Sequence, residues 1–284
     1  MARAWELRQG DCLEVLRTLP DASVDAVITD PPYPCIKRSY GYWTEEEWFA
    51  LMKPVVVECR RALKPQGSAM FVLQPNSERV GRMRTWLWEF MAWVGKEWGI
   101  VQDAWWWNPA TPPTVHVHRT RGGLRPSVKA CVWAGAPDCY KDQDSVLWQP
   151  SDAAKAEDRS NRALKRMPGG LSIRRGRCAL VADERGGVTP FNLLPIPNSD
   201  SQTSAGAHGH GAGTPLALCS WWARYICLPG GTILDPFAGS GTVGIAALKQ
   251  GKRYVGIERM SEYAEIASRR LQEAEAAAQE VAVA

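Results

Sequence analysis

The sequence predicts a mostly parallel α/β sheet with helices on both faces and a small irregular insertion. Short apolar runs such as Val24-Asp25-Ala26-Val27-Ile28-Thr29 and Thr232-Ile233-Leu234-Asp235 alternate with longer amphipathic stretches, the pattern of strands joined by crossover helices. Near the end, a strand, a glycine-bearing turn, a helix and a second strand follow one another over 232–258, which is one complete βαβ unit. Between 135 and 200 this alternation disappears.

Taken in order, residues 5–10 read as a strand and 11–19 as a helix leading into the strand that ends at Asp30. The stretch 44–63 is an amphipathic helix, with Thr44 and Glu47 at capping-box spacing. Lys64-Pro65-Gln66-Gly67 breaks it ahead of a strand over 68–73. A further helix is expected over 77–93, with Trp86 and Trp93 packing inward. Strand candidates at 105–108 and 128–134 flank a basic turn carrying Arg119, Arg121 and Arg125. The segment 198–214 is rich in Ser, Gly and His and is expected to be mobile. Helices over 215–227 and 261–278 complete the chain, the last rich in Ala and Glu.

Asp30-Pro31-Pro32-Tyr33 closes the second strand. The prolines fix φ and donate no backbone hydrogen bond, so the loop is stiff and its carbonyls can accept. A carboxylate, a carbonyl and an aromatic face within four residues form a receptor for a flat, amine-bearing ring. An ordinary turn has the same composition, so the tetrapeptide alone does not decide. In the βαβ unit, Gly239 and Gly241 let backbone N–H groups approach a ligand, and the helix after them favours a carboxylate at its N-terminus. Glu258 ends the next strand, where an acid commonly holds a ribose hydroxyl pair.

Together, Asp30-Pro31-Pro32-Tyr33 and Asp235-Pro236-Phe237-Ala238-Gly239-Ser240-Gly241-Thr242 resemble the amino-methylating DNA methyltransferases that use S-adenosylmethionine. The target-amine motif precedes the cofactor motif, an order similar to that family's permuted β-class. Gln9-Gly10-Asp11-Cys12-Leu13-Glu14-Val15-Leu16 resembles the segment that holds the cofactor's adenine. The likeness covers about residues 5–75 and 205–270, with a looser match through 105–148.

This resemblance implies a Rossmann-like methyltransferase sheet. Residues 1–134 and 205–284 form the catalytic and cofactor-binding domain, and 135–204 a target-recognition insertion. Asp30 and the Pro31 carbonyl accept from the target amine, Pro32 stiffens the loop, and Tyr33 stacks on the base. Asp11, Cys12, Asp235, Pro236, Phe237, Gly239, Ser240, Gly241, Thr242 and Glu258 surround the methyl donor, Asp11 accepting from its adenine amine. Because these residues come from both chain ends, the sheet must bring the termini side by side. Many relatives carry lysine where this chain has Thr214, so that end of the site relies on backbone and hydroxyl contacts.

The chemistry follows from the amine. Its lone pair is delocalised into the ring; acceptors on its hydrogens favour a pyramidal nitrogen able to attack a sulfonium methyl in line. A base inside a duplex is out of reach and must be flipped out. No cysteine is needed as nucleophile. Cys35, in Tyr33-Pro34-Cys35, is the one placed for a ring-carbon route, but residues 30–33 already account for the site. Aspartate as first residue of the tetrapeptide is commonest among adenine enzymes of the family, which favours adenine N6. Cytosine N4 is the alternative, and a catalytically silent DNA- or cofactor-binding protein is the alternative of another class.

Composition agrees. The 284 residues carry a net charge of +4, concentrated in a stretch of seven basic residues from Arg159 to Arg177 without an acid. Arg162, Lys165, Arg166, Arg174, Arg175 and Arg177 there, with Arg119, Arg121 and Arg125, are the expected contacts to double-stranded DNA, since guanidinium groups pair with phosphate oxygens; a solvated face is the rival reading. Eight scattered cysteines without a Cys-x-x-Cys pair fit a reduced, cytoplasmic protein. His116, His118, His208 and His210 lack companions for a metal site, so no metal is expected. No apolar stretch reaches membrane-span length. The resemblance leaves room for a homodimer and a cognate restriction nuclease. Tyr40, Tyr42 and Trp43 either hold the flipped base or pack on the next helix; Trp107 and Asn108 are further candidates for the base pocket.

Overall fold

In a computed structural model, residues 3–79, 82–110, 127–149, 164–166, 172–174, 184–198 and 213–283 are described. In chain order the elements are β1 (Trp5–Gln9), α1 (Cys12–Thr18), β2 (Val24–Thr29), α2 (Glu45–Ala62), β3 (Leu63–Leu73), β4 (Ser77–Arg79), β5 (Arg82–Met83) and α3 (Trp86–Glu97). Then come β6 (Ile100–Gln102), β7 (Trp105–Trp107), β8 (Val128–Gly135), β9 (Leu164–Arg166), β10 (Ser172–Arg174) and β11 (Leu193–Pro195). Last are α4 (Leu216–Ile226), β12 (Thr232–Asp235), α5 (Thr242–Lys249), β13 (Arg253–Glu258) and α6 (Ser261–Val283).

The main sheet runs in the order β1-β13-β12-β2-β3-β8-β7-β11, with β6 also paired to β8. Neighbours from β1 through β3 are parallel, whereas β8 is antiparallel to both β3 and β7. Helices cover both faces. Val27, Phe71 and Val132 join the core formed with α1, α2 and α3. On the opposite face Trp133 meets the ring of Trp222 in α4, with centroids 5.7 Å apart. All six residues of β2 are buried. That requires Asp25 within it to be paired, and its two oxygens accept from Lys64 Nζ and the Thr232 N–H, each at 2.8 Å.

Local expectations hold where they rest on caps. Thr44 Oγ1 accepts from the Glu47 N–H, and Glu47 Oε2 accepts from the Thr44 N–H at 2.8 Å. Trp48, Met52, Val55, Val56 and Cys59 then form the buried face of α2. The helix expected over 77–93 is corrected: β4 and β5 pair antiparallel, and α3 begins only at Trp86. The Asn76 carbonyl accepts from the Arg84 N–H, while its side chain is fixed between the Pro34 carbonyl and Trp86 Nε1. These tertiary bonds outweigh the helical pattern of that stretch. The break at 64–67 is absorbed into β3, where the register with β2 shifts between Val24 and Ala26.

The chain divides into two compact units, Met1–Lys141 with Asn192–Ala284, and Asp142–Phe191. The second is narrower than the insertion expected over 135–204, because Leu193–Pro195 pairs with β7 of the first. Within the second unit Trp148 and Val188 exchange backbone hydrogen bonds at 2.9 and 2.8 Å. Arg185 joins Asp144 and Gln143, and β9 pairs antiparallel with β10.

Candidate active site

Four parallel strands end at the same edge of the sheet. β1 leads to Gly10 and Asp11, β2 to Asp30, β12 to the turn at 236–241, and β13 ends on Glu258. The ends are tied together by Gly10 N–H donating to the Glu258 carbonyl at 3.0 Å and Ala238 N–H donating to the Ile257 carbonyl at 2.9 Å. Asp11, Asp30, Gly239 and Glu258 thereby face one cavity of about 300 Å³, at the carboxyl edge where open α/β sheets bind ligands.

The tip of β2 is held rigidly. Trp48 Nε1, from α2, donates to the Pro32 carbonyl at 2.6 Å, and Asn76 Nδ2 donates to the Pro34 carbonyl at 2.7 Å. Asp30 Oδ1 accepts from Tyr33 Oη at 2.5 Å, and Oδ2 accepts from Thr214 Oγ1. Burial and the neighbouring Asp30 charge push the Tyr33 phenol well above its usual range, so it remains a donor. Lys129 Nζ, from β8, donates to Tyr33 Oη at 3.2 Å and stands 3.9 Å from Asp30 Oδ2. A carboxylate oxygen has more than one acceptor site. Asp30 is therefore oriented by its neighbours while it can still accept from a ligand.

The second half of the cavity is the turn after β12. Gly239 and Gly241 have φ of 51° and 80°, left-handed values that favour glycine, and a Cβ on Gly241 would lie 3.1 Å from Ala267 Cβ. Glu258 Oε2 accepts from the Gly239 N–H at 2.9 Å and Oε1 from the Met260 N–H at 2.8 Å. Burial raises its pKa against the pull of these bonds. Asp11 Oδ1 caps α1, accepting from the Leu13 and Glu14 N–H groups at 2.9 and 3.3 Å. An acid at the tip of β13, a glycine turn opening α5 and the Asp11–Cys12 backbone make up a set that fits a ligand carrying a ribose, an amino-acid tail and an adenine. The residues present therefore fit S-adenosylmethionine.

Several side chains expected to touch the ligand are engaged in bracing it. Asp235 is 1 % exposed, and its carboxylate accepts from Thr29 Oγ1 at 2.6 Å, the Phe237 N–H at 3.1 Å and Tyr254 Oη at 3.4 Å. Burial pushes it up to about 7. Arg270 of α6 reaches the Ser240 carbonyl at 2.6 Å and Ser240 Oγ at 3.0 Å, with Thr242 Oγ1 at 3.5 Å. Asp235, Pro236, Phe237, Ser240 and Thr242 all still line the cavity. Cys12 also lines it, and burial lifts its thiol to about 12; Cys35 is not among the lining residues.

Tyr40 and Trp43 form another wall of the cavity, held by Arg259, which donates to the Tyr40 carbonyl at 2.7 Å and lies 6.0 Å from the Trp43 ring centroid. Trp107 and Asn108 are not on it; Asn108 Oδ1 instead accepts from the Ala110 and Asn198 N–H groups. Arg119, Arg121, Arg125, Arg162, Arg175 and Arg177 lie outside the described residues, as do His116, His118, His208 and His210. Lys165, Arg166 and Arg174 lie on the β9–β10 pair. Sequence reasoning missed Lys129, Thr29, Arg259 and Arg270, and the bond from Thr214 to Asp30. Lys129 alone left a signal, as the one charge in the run 128–135. Among the described residues no helix is long and apolar enough to cross a membrane.

The N6/N4 methyltransferase family model, described as DNA methylase, matches residues 24–269. The type II methyltransferase M.PvuII of Proteus hauseri is 29% identical over 276 residues, covering 89% of this chain and 80% of that protein. The DNA adenine methyltransferase YhdJ of Escherichia coli (strain K12) is 26% identical over 265 residues, covering 92% and 81%. Among solved structures, the PvuII DNA methyltransferase (cytosine-N4-specific) has a TM-score of 0.69 at 20% identity, covering 97% of this chain and 91% of that one. The M1.HpyAVI–SAM complex has a TM-score of 0.58 at 18% identity, covering 94% and 98%. These two likenesses bear on the fold, and both agree with a Rossmann-like α/β sheet.

Proposed function

Because the chain belongs to the N6/N4 family of DNA methylases, we propose that it methylates the N6 amine of adenine in a base flipped out of double-stranded DNA, with S-adenosylmethionine as methyl donor. The observation that carries this reading is the shared cavity. The Asp30 carboxylate stands on the same wall-to-wall space as the glycine turn and Glu258, so an amine and a methyl donor would meet in one crevice.

When bound, S-adenosylmethionine supplies an electrophilic methyl group. Glu258 would hold its ribose, the Gly239–Gly241 backbone and the start of α5 its amino-acid tail, and Asp11 with Cys12 its adenine. Asp30 and the Pro31 carbonyl accept hydrogen bonds from the two amine N–H groups, which shifts electron density onto the nitrogen and stabilises the positive charge that develops there. Once the nitrogen carries the methyl, it loses one of those protons to solvent. Tyr33 and Thr214 keep the carboxylate turned toward the amine, and the bond from Trp48 prevents the proline loop from yielding. Fixed acceptors need no reorganisation as the charge forms.

Adenine is favoured by the aspartate that opens the tetrapeptide. Cytosine N4 is the second reading, since the same two acceptors fit its amine and the relatives include an enzyme of that specificity. The basic residues between Arg159 and Arg177, within a proposed target-recognition insertion, supply DNA contacts by phosphate pairing. The test is expression in a host without its own DNA methylation, followed by modification-sensitive sequencing and mass spectrometry of the nucleosides. N6-methyladenine is expected. 4-Methylcytosine alone overturns the base assignment, and methylation undiminished in Asp30→Ala overturns the mechanism.

A further inference from the structure

Lys129 is a cation at the start of a strand whose following residues, Ala130 to Gly135, are all buried. Its side chain is 21% exposed and lies against two rings, with Nζ 5.0 Å from the Trp106 centroid and 5.4 Å from that of Tyr33. An ammonium has three N–H donors. One goes to Tyr33 Oη at 3.2 Å, and Asp30 Oδ2, at 3.9 Å, is beyond hydrogen-bond reach. Lys129 lines the same cavity as Asp30 and Pro31. The wall that offers acceptors to an amine therefore offers a donor beside them.

A flipped amino base presents more than its amine. Next to it is a ring nitrogen with an open lone pair, N1 in adenine and N3 in cytosine, which loses its pairing partner when the base leaves the helix. Asp30 and Pro31 satisfy the amine and leave that nitrogen unmatched, a costly omission in a partly buried site. The geometry points to Lys129 as the donor to this ring nitrogen, an assignment that rests on the reading of Asp30 and Pro31 as the amine's acceptors. Two hydrogen bonds of about 2.9 Å each reach the adjacent nitrogens of one base edge from a donor and an acceptor 3.9 Å apart. The pair also rejects the wrong bases. Thymine and guanine present a carbonyl where the amine should be and an N–H where the lone pair should be, so acceptor meets acceptor and donor meets donor.

The test uses duplexes containing the chain's own methylation site, with the target base as adenine or as 1-deazaadenine, in which a C–H replaces N1. Lys129→Met is expected to lower kcat/KM about 10- to 100-fold on adenine and less than about threefold on 1-deazaadenine. Affinity for S-adenosylmethionine, measured by calorimetry, is expected to be unchanged. So is binding to a duplex that is abasic at the target position. Equal losses on both substrates would mark Lys129 as a support for Tyr33 alone and overturn the assignment. So would a wild-type enzyme that methylates the two substrates equally well, a result that does not depend on the variant folding. If the methylated base is cytosine, the same comparison is made with 3-deazacytosine. A wrong base assignment and a wrong role for Lys129 are then separate outcomes, and failure of the amine-acceptor reading shows independently in Asp30→Ala.

Discussion

Thr214→Val removes one hydroxyl and almost no volume, which isolates the bond from Thr214 Oγ1 to Asp30 Oδ2. Thr214 is buried, at 7 % exposure, so water does not readily replace the lost donor. After the change Oδ1 keeps Tyr33 at 2.5 Å, while Oδ2 is left with Lys129 at 3.9 Å. A hydrogen bond to a charged group contributes about 1.5–3 kcal/mol. If that energy goes into holding the acceptor in line with the amine, the methylation rate falls about 10- to 150-fold, at about 1.36 kcal/mol per tenfold. The assay is single-turnover methylation with saturating S-adenosylmethionine, which separates the chemical step from product release. Thr214→Ser restores the donor and most of the rate. A valine variant with the wild-type single-turnover rate, or one whose defect lies entirely in cofactor affinity, refutes the role of Thr214 in orienting Asp30.

Other expectations follow from the braces around the cavity. Burial raises Asp235 from 3.8 to about 7, so the folded state binds its proton more tightly than the unfolded one. The stability this contributes is present at low pH and is lost as pH rises toward about 7. In urea unfolding between pH 5 and 8, Asp235→Asn should therefore gain on the wild type with rising pH, by about 3 kcal/mol for two units at about 1.36 kcal/mol each; parallel profiles contradict this. Gly241→Ala puts a side chain at φ 80°, with its Cβ 3.1 Å from Ala267. A strain of about 1–2 kcal/mol and a Tm lower by a few degrees are expected, together with weaker S-adenosylmethionine binding in calorimetry. Arg270→Met strands the Ser240 carbonyl, bonded at 2.6 Å, and should weaken that binding about tenfold; an unchanged affinity would show that the turn holds its shape without α6.

The local half of this protein was legible in its chain. Apolar runs placed the central strands, the Thr44–Glu47 cap placed the start of α2, and the paired motifs around Asp30 and Gly239 indicated a fold and a cavity that the strand order then assembled. These features depend on neighbours within a few residues, or on strand tips that a parallel sheet must align at one edge. Long-range bonds were not legible. The stretch 77–93 read as one helix because its composition allows it, yet Asn76 is held by Pro34 and Trp86, and the helix begins late. Asp235 reads as a ligand contact by motif and lines the cavity, and only the packing of β2 against β12 shows that its carboxylate is also bonded to Thr29. Asp30 is joined by Thr214 from 184 residues away and approached by Lys129 from the antiparallel strand β8. A sequence can name the carboxylate that a base would meet. Its orientation and the donor beside it depend on which distant backbones pack together, and this the tertiary structure alone decides.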